Sequence, residues 1–170
     1  MNDKKDNVIL IGMPGVGKST VGVILAKIIG YEFIDADLVI QKKEGKLLRD
    51  IIAQQGADGF IEVENRVNSE LEAYHAVIAT GGSVIYGKEA MAHLKEIGTV
   101  VYLKQSYRVL NRRLRNIRNR GVVLKEGQTL RSLYEERCVL YEQYADVIVD
   151  EYGLSIEETV DAICAALNEQ

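Results

Sequence analysis

The chain has 170 residues, of which 47% are hydrophobic and 27% are charged, and this composition is typical of one globular domain. Its longest apolar runs, such as residues 8–11, are too short for a membrane-spanning helix, and the net charge of -4 argues against general nucleic-acid binding. The polar, mixed-charge N-terminus lacks an apolar signal segment, so we expect a cytoplasmic protein, and we expect it to be a monomer. Cys138 and Cys164 have no metal-ligand spacing, which argues against a structural zinc site.

Short β-rich runs alternate with helical patterns along the chain. In chain order, strands are predicted at about 7–11, 32–35, 76–79, 99–103 and 147–149. Helices are predicted at about 18–29, 37–44, 46–55, 58–73, 88–97, 106–117, 130–144 and 155–167, with a glycine-containing loop at 116–128. Strands separated by helices imply right-handed crossovers and a parallel sheet covered on both faces. The predicted fold is therefore a single α/β domain with about five parallel strands.

A glycine-rich loop follows the first predicted strand and precedes the first predicted helix. It matches the phosphate-binding pattern G-x-x-x-x-G-K-S/T, in which backbone N–H groups and a helix N-terminus surround an anion. Lys18 is expected to reach the β and γ phosphates, and the Ser19 hydroxyl is expected to contact Mg²⁺. The alternative is a glycine turn with an incidental lysine. The predicted ATP-binding residues of this loop are Gly12, Gly15, Val16, Gly17, Lys18, Ser19 and Thr20.

The size of the chain favours a small kinase over other nucleotide-binding proteins. A GTPase or a motor ATPase normally carries more chain, and no N-K-x-D guanine motif is present. Beyond the phosphate loop, three further segments complete a pattern that resembles the shikimate kinase family over residues 8–167. They are Phe33-Ile34-Asp35-Ala36-Asp37, Thr80-Gly81-Gly82, and Glu136-Arg137-Cys138-Val139-Leu140-Tyr141, with Arg120 in the late loop. The resemblance implies a P-loop sheet with an acceptor-binding helical segment at about 37–64 and a lid at about 116–128. It also implies ATP and Mg²⁺ as the nucleotide and its metal.

The resemblance also implies roles for residues that follow the second and third predicted strands. Asp37 matches the acid that faces the acceptor hydroxyl, orients it and accepts its proton. Asp35 matches an aspartate that holds hydrated Mg²⁺ together with Ser19. Gly81 and Gly82 match a glycine turn whose backbone lies against the acceptor. As alternatives, the two aspartates could be a strand-end pair and a helix N-cap, and the glycines could form a plain turn.

Three arginines receive roles from the same resemblance. Arg120 matches a lid arginine that closes on the transferring phosphate, Arg137 matches an arginine that binds the acceptor carboxylate, and Arg113 matches a residue that lies against adenine. Arg137 could instead form a surface pair. The other two belong to a cluster that could simply be a solvated helix face: Arg108, Arg112, Arg113, Arg115, Arg118 and Arg120.

Three positions depart from the family pattern. Ile61 stands where the family has an arginine that shares the shikimate carboxylate with the arginine matched by Arg137. Ser83 replaces the third glycine of a glycine run, and Gly121 replaces the proline that normally follows the lid arginine. We expect shikimate as the acceptor. The alternatives are another hydroxy acid or a hydroxy amino acid such as homoserine, a non-catalytic ATP-binding regulatory module, and a nucleoside monophosphate kinase.

Overall fold

The computed structural model describes residues 5–115, residue 122 and residues 124–170, and all structural statements below concern these residues. They form five β-strands, seven α-helices and one short 3₁₀ turn at Val84–Tyr86. The strands are β1 (Asn7–Ile11), β2 (Glu32–Asp35), β3 (Ala76–Ala79), β4 (Gly98–Lys104) and β5 (Val147–Asp150). The helices are α1 (Lys18–Ile29), α2 (Ala36–Glu44), α3 (Leu48–Ser69), α4 (Lys88–Ile97), α5 (Tyr107–Arg115), α6 (Leu130–Tyr144) and α7 (Ile156–Asn168).

The five strands form one parallel sheet in the order β2-β3-β1-β4-β5, which confirms the predicted α/β class. β1 lies at the centre, where Ile9 pairs with Ile78 of β3 on one side and with Val100 of β4 on the other. All five residues of β1 are buried, because both faces of a parallel sheet are covered by helices. The loops after β1, β2 and β3 leave from the same edge of the sheet, where ligands bind in open α/β folds.

The α2–α3 segment has a small hydrophobic core of its own, separate from the main core around the sheet. It consists of Ile40, Ile51, Phe60, Val63 and Val67. For residues 46–73 the sequence predicts two helices, and the structure has one long element, α3, interrupted at Gly56, whose backbone is non-helical with φ 73° and ψ -177°. α3 ends at Ser69, four residues before the predicted end, and Leu71 then turns back with its N–H donating to the Asn68 carbonyl.

The predicted lid at 116–128 is only partly covered, since residues 116–121 and 123 lie outside the described residues. Arg120, the predicted lid arginine, and Gly121 belong to that part. Within the described ranges, none of the helices combines the length and the apolar character needed to cross a membrane.

Candidate active site

A cleft of about 610 Å³ opens at the carboxyl edge of the sheet. Its wall combines the loop after β1, the start of α2, part of α3, the turn after β3, and side chains from α5 and α6. Ten of the residues singled out by sequence line it: Gly15, Gly17, Lys18, Ser19, Thr20, Asp37, Gly81, Gly82, Arg113 and Arg137. Gly12, Val16 and Asp35 are not among the described residues of its wall.

The phosphate loop, residues 12–20, forms one end of the cleft. Gly12 adopts φ 150°, and a Cβ built on it would lie 2.7 Å from the Leu103 carbonyl oxygen, so only glycine fits there. Gly17 has φ 94° and is the N-cap of α1, which starts at Lys18. Backbone N–H groups and the helix N-terminus therefore face the cleft together, an arrangement suited to phosphate oxygens.

Lys18 lies within this loop and is buried. Its ammonium donates hydrogen bonds to the carbonyl oxygens of Gly12 at 2.7 Å and Met13 at 3.0 Å. Burial lowers the pKa of Lys18 to about 8, although Asp37 and two glutamates act in the opposite direction. Ser19 and Thr20 are exposed on the first turn of α1 and face the cleft. The donor set of loop amides, ammonium and Ser19 hydroxyl fits a Mg-nucleotide triphosphate.

The two aspartates after β2 lie in different environments. Asp35 is the N-cap of α2, where its Oδ1 accepts hydrogen bonds from the backbone N–H groups of Asp37 and Leu38. Asp37 follows in the first turn and lines the cleft. Burial raises the pKa of Asp37, and Asp35 adds to that rise while Lys18 opposes it. Asp37 is thus a partly buried acid beside the phosphate loop. Of the two aspartates, Asp35 is therefore the one that caps a helix. Its expected contact with Mg²⁺ stays a prediction.

The glycine turn after β3 brings the phosphate loop close to α6. A Cβ on Gly82 would lie 2.7 Å from the Pro14 ring and 2.9 Å from Nη1 of Arg137. The Gly82 carbonyl accepts a hydrogen bond from the Tyr141 hydroxyl at 2.5 Å. A Cβ on Gly81 would contact the carboxylates of Glu64 and Asp37 instead. Because Gly82 has no side chain, Pro14 and Arg137 can both lie close to its backbone. Gly81 leaves the same room for the carboxylates of Glu64 and Asp37.

Arg137 is a buried cation in the wall of the cleft, across Gly82 from Pro14 of the phosphate loop. It is 3% exposed, its guanidinium carbon lies 5.5 Å from the centre of the Tyr86 ring, and its Nε has no hydrogen-bond partner among the described residues. This placement excludes the surface-pair alternative for Arg137. A buried guanidinium with a free donor is a strong binding group for a carboxylate.

Glu64 is the main cleft residue that sequence reasoning missed. It is 1% exposed, its Oε1 accepts a hydrogen bond of 2.5 Å from the Ser83 hydroxyl, and its Oε2 has no partner among the described residues. A signal for it was present, because Phe60, Val63, Glu64 and Val67 follow the spacing of a buried helix face. A glutamate at such a position is expected to be buried with the apolar residues around it. Because buried acids are rare, one next to predicted ligand-binding residues is a candidate functional residue.

The arginine cluster contributes one residue to the cleft from the described part of the chain. Arg113 in α5 donates a hydrogen bond of 2.8 Å to the Gly15 carbonyl and lines the cleft next to Leu114. Arg108, Arg112 and Arg115 lie on the same helix and are exposed. Arg118, like Arg120, lies outside the described residues.

Ile61 does not line the main cleft. It lines a separate small crevice together with Tyr86, Lys125, Gln128 and Arg137, so that Arg137 is shared by the two cavities. Its apolar side chain offers the Arg137 guanidinium no hydrogen bond.

The three parts of the cleft suit different parts of a phosphoryl-transfer reaction. Loop amides and Lys18 can hold a triphosphate, the acids at the middle can orient a hydroxyl, and Arg137 can bind an anionic group on the acceptor. Because these groups line one cleft, a phosphate donor and an acceptor hydroxyl could be held next to each other, as direct phosphoryl transfer requires.

The family model and the relatives at 30% identity or more are shikimate kinases. The family model described as shikimate kinase matches residues 14–168. Shikimate kinase of Thiobacillus denitrificans is 39% identical over 151 residues, covering 86% of this chain and 82% of the relative. Shikimate kinase of Thermosynechococcus vestitus is 36% identical over 166 residues, covering 96% of this chain and 88% of the relative. Among solved structures, shikimate kinase from Acinetobacter baumannii in complex with shikimate is similar, with a TM-score of 0.87, 32% identity, and coverage of 96% of this chain and 93% of the other.

Proposed function

The chain belongs to the shikimate kinase family, and on that premise we propose that it transfers the γ-phosphoryl group of ATP to a hydroxyl of shikimate, giving shikimate 3-phosphate. The observation that supports the proposal is that one cleft is lined by the phosphate loop, by Asp37 and by the buried Arg137. The enzyme is a small-molecule kinase that uses ATP with Mg²⁺.

The residues of the cleft divide the reaction between them. The loop amides and Lys18 bind the β and γ phosphates, and Ser19 and Asp35 are the residues that would hold Mg²⁺, which would supply neutralisation of phosphate charge. Asp37 orients the acceptor hydroxyl and accepts its proton. Arg137 binds the acceptor carboxylate, and the glycine turn lies against the acceptor ring. Arg120 of the predicted lid is expected to stabilise the charge that develops on the transferring phosphoryl group.

Ile61 stands where the family pattern has one of the two arginines that bind the acceptor carboxylate. In this chain the pattern therefore assigns that carboxylate to Arg137. A single charge-assisted contact holds a carboxylate less tightly than a two-arginine clamp, so we expect a higher shikimate KM than a clamp would give. The comparisons do not favour a hydroxy amino acid acceptor, a nucleoside monophosphate kinase or a non-catalytic module.

The test is a coupled assay of ADP release with Mg-ATP and shikimate, with the product identified by mass spectrometry. Homoserine and other small hydroxy acids serve as comparison acceptors. Saturable, shikimate-dependent formation of shikimate 3-phosphate is the expected result. ADP release without a phosphorylated acceptor would instead support the regulatory module, and turnover of homoserine alone would mean that the acceptor has changed.

A further inference from the structure

Arg137 lines two cavities, and the second of them is lined by another cation. Besides the main cleft, Arg137 lines the small crevice beside Ile61, together with Lys125. Nε of Arg137 is buried and has no hydrogen-bond partner among the described residues. A buried donor without a partner costs free energy, and ligand-binding sites are where such donors are retained. An anion that binds to Arg137 is therefore held beside the crevice that Lys125 lines.

Hydrogen bonds fix the backbone of Lys125 close to α6. Its N–H donates to Oε1 of Gln128 at 3.2 Å, and its carbonyl accepts from the Gln128 backbone N–H at 3.0 Å. Nε2 of Gln128 in turn donates to Oε2 of Glu136 at 3.2 Å, and the same oxygen accepts a hydrogen bond of 3.0 Å from the Tyr86 hydroxyl. Glu136 directly precedes Arg137 in α6. The backbone of Lys125 is thus tied to the residue next to Arg137.

The ammonium of Lys125, by contrast, is held loosely. Its Nζ lies 3.9 Å from Oδ1 of Asp58, which is too long for a hydrogen bond. The two side chains are 65% and 88% exposed, and exposed ion pairs contribute little to stability. Because lysine has a flexible stem and three donors, this ammonium can exchange Asp58 for another anion with little loss of free energy.

We propose that Lys125 is a second cation for the acceptor carboxylate that Arg137 binds. The inference rests on the proposed function. Ile61 is apolar and lines the same crevice, so the second positive charge comes from the loop before α6 and not from α3. A lysine provides a point charge where an arginine provides a paired contact, so Lys125 supplies only part of the binding that a second arginine would give.

The test compares the shikimate KM of the native enzyme, Lys125→Met, Lys125→Arg and the control Lys43→Met. Lys43 is a matched control because it is also exposed, and its Nζ lies 3.6 Å from Oε2 of Glu70. We expect Lys125→Met to raise the shikimate KM about 5-fold or more, between the usual effects of losing an exposed ion pair and a buried charged hydrogen bond. The ATP KM should stay unchanged. Lys125→Arg and Lys43→Met should keep a shikimate KM close to the native value.

An acceptor analogue identifies the group that Lys125 contacts. In the amide of shikimate, a neutral group replaces the carboxylate. Lys125→Met should therefore raise the KM for shikimate and leave the KM for the amide nearly unchanged, a difference that a merely structural role would not produce. Equal effects on both acceptors, or a native shikimate KM in Lys125→Met, would overturn the inference.

Position 61 provides a second test. In an Ile61→Arg background, Lys125→Met should raise the shikimate KM less than it does in the native enzyme, because two other cations then share the carboxylate. An undiminished effect in that background would contradict a shared carboxylate. If Ile61→Arg folds poorly, the amide comparison remains decisive. Absence of shikimate turnover by the native enzyme would refute the proposed function instead, so the two failures are distinguishable.

Discussion

Replacing Gly82 with alanine tests the close approach of the glycine turn to the phosphate loop and to Arg137. The added methyl group would lie 2.7 Å and 2.9 Å from two ring carbons of Pro14 and 2.9 Å from Nη1 of Arg137. Ordinary carbon contacts are at about 3.5–4.0 Å, so both neighbours must move. The Pro14 ring is part of the phosphate loop and is rigid, while the Arg137 guanidinium is buried against Tyr86.

The size of the effect follows from these contacts. Overpacking a dense site typically costs about 1–3 kcal/mol. For a domain of this size, that cost corresponds to a fall in Tm of roughly 2–12 °C. Displacing the guanidinium of Arg137 should weaken a charge-assisted bond to the acceptor carboxylate, which raises the shikimate KM by about 10-fold or more. Moving the loop at Pro14 should also lower kcat, because transfer depends on the position of the phosphates.

Thermal unfolding and steady-state kinetics on Gly82→Ala, with two matched variants, separate stability from binding. In Gly22→Ala the new methyl would lie 2.7 Å from the Phe33 ring in the core, so the Tm should fall while the shikimate KM stays native. In Gly81→Ala the methyl meets the flexible ends of Glu64 and Asp37, so the kinetic effect should exceed the loss in Tm. Native Tm and native shikimate KM in Gly82→Ala would refute the close approach of Pro14 and Arg137.

Three further substitutions test the site. Lys18→Met should cut turnover by about 10²-fold or more with the fold intact, measured by ADP release and circular dichroism; near-native transfer would contradict the role of Lys18. Asp37→Asn should lower kcat by about 10²-fold or more and leave ATP binding by calorimetry unchanged, whereas a change in KM alone would make Asp37 a binding residue. The pKa of Glu64 is raised by folding from 4.5 to about 7, so its contribution to stability is fully present below pH 4.5 and is lost as the pH rises through 7. Urea unfolding should therefore show Glu64→Gln gaining up to about 3 kcal/mol relative to the native protein between pH 4.5 and pH 8; an equal stability difference at both pH values would contradict the raised pKa.

Most of the fold could be predicted from the sequence because its signals are local. The run at 7–11 is apolar throughout and becomes the central strand, and the glycine-rich loop after it can hardly form another structure. The helix break near Gly56 was visible as a change in pattern. The end of α3 was predicted too late, because polar residues beyond Ser69 continue a helical pattern that tertiary packing of Leu71 ends.

The site was less predictable, because its geometry depends on pairs that are distant in sequence. Glu64 and Ser83 are 19 residues apart and meet through a hydrogen bond between α3 and the turn after β3. The burial of Arg137 beneath Tyr86 likewise follows from the packing of α6 and not from its own neighbours. For the two aspartates, the sequence suggested Asp37 as the alternative helix cap, but α2 starts one residue earlier than predicted and Asp35 is the N-cap.

The two departures at Ile61 and Ser83 can be understood as one change. Ile61 and Glu64 are three residues apart on α3, so an arginine at position 61 would lie within reach of the Glu64 carboxylate. A cation there would lower the pKa of Glu64; the hydrogen bond from Ser83 also lowers it, but burial outweighs that effect and raises the pKa to about 7. A glycine at position 83 could not supply that hydrogen bond, and Glu64 would then lack a partner for both oxygens. Ser83 thus supplies Glu64 with a hydrogen bond in a chain whose residue 61 offers it no charge.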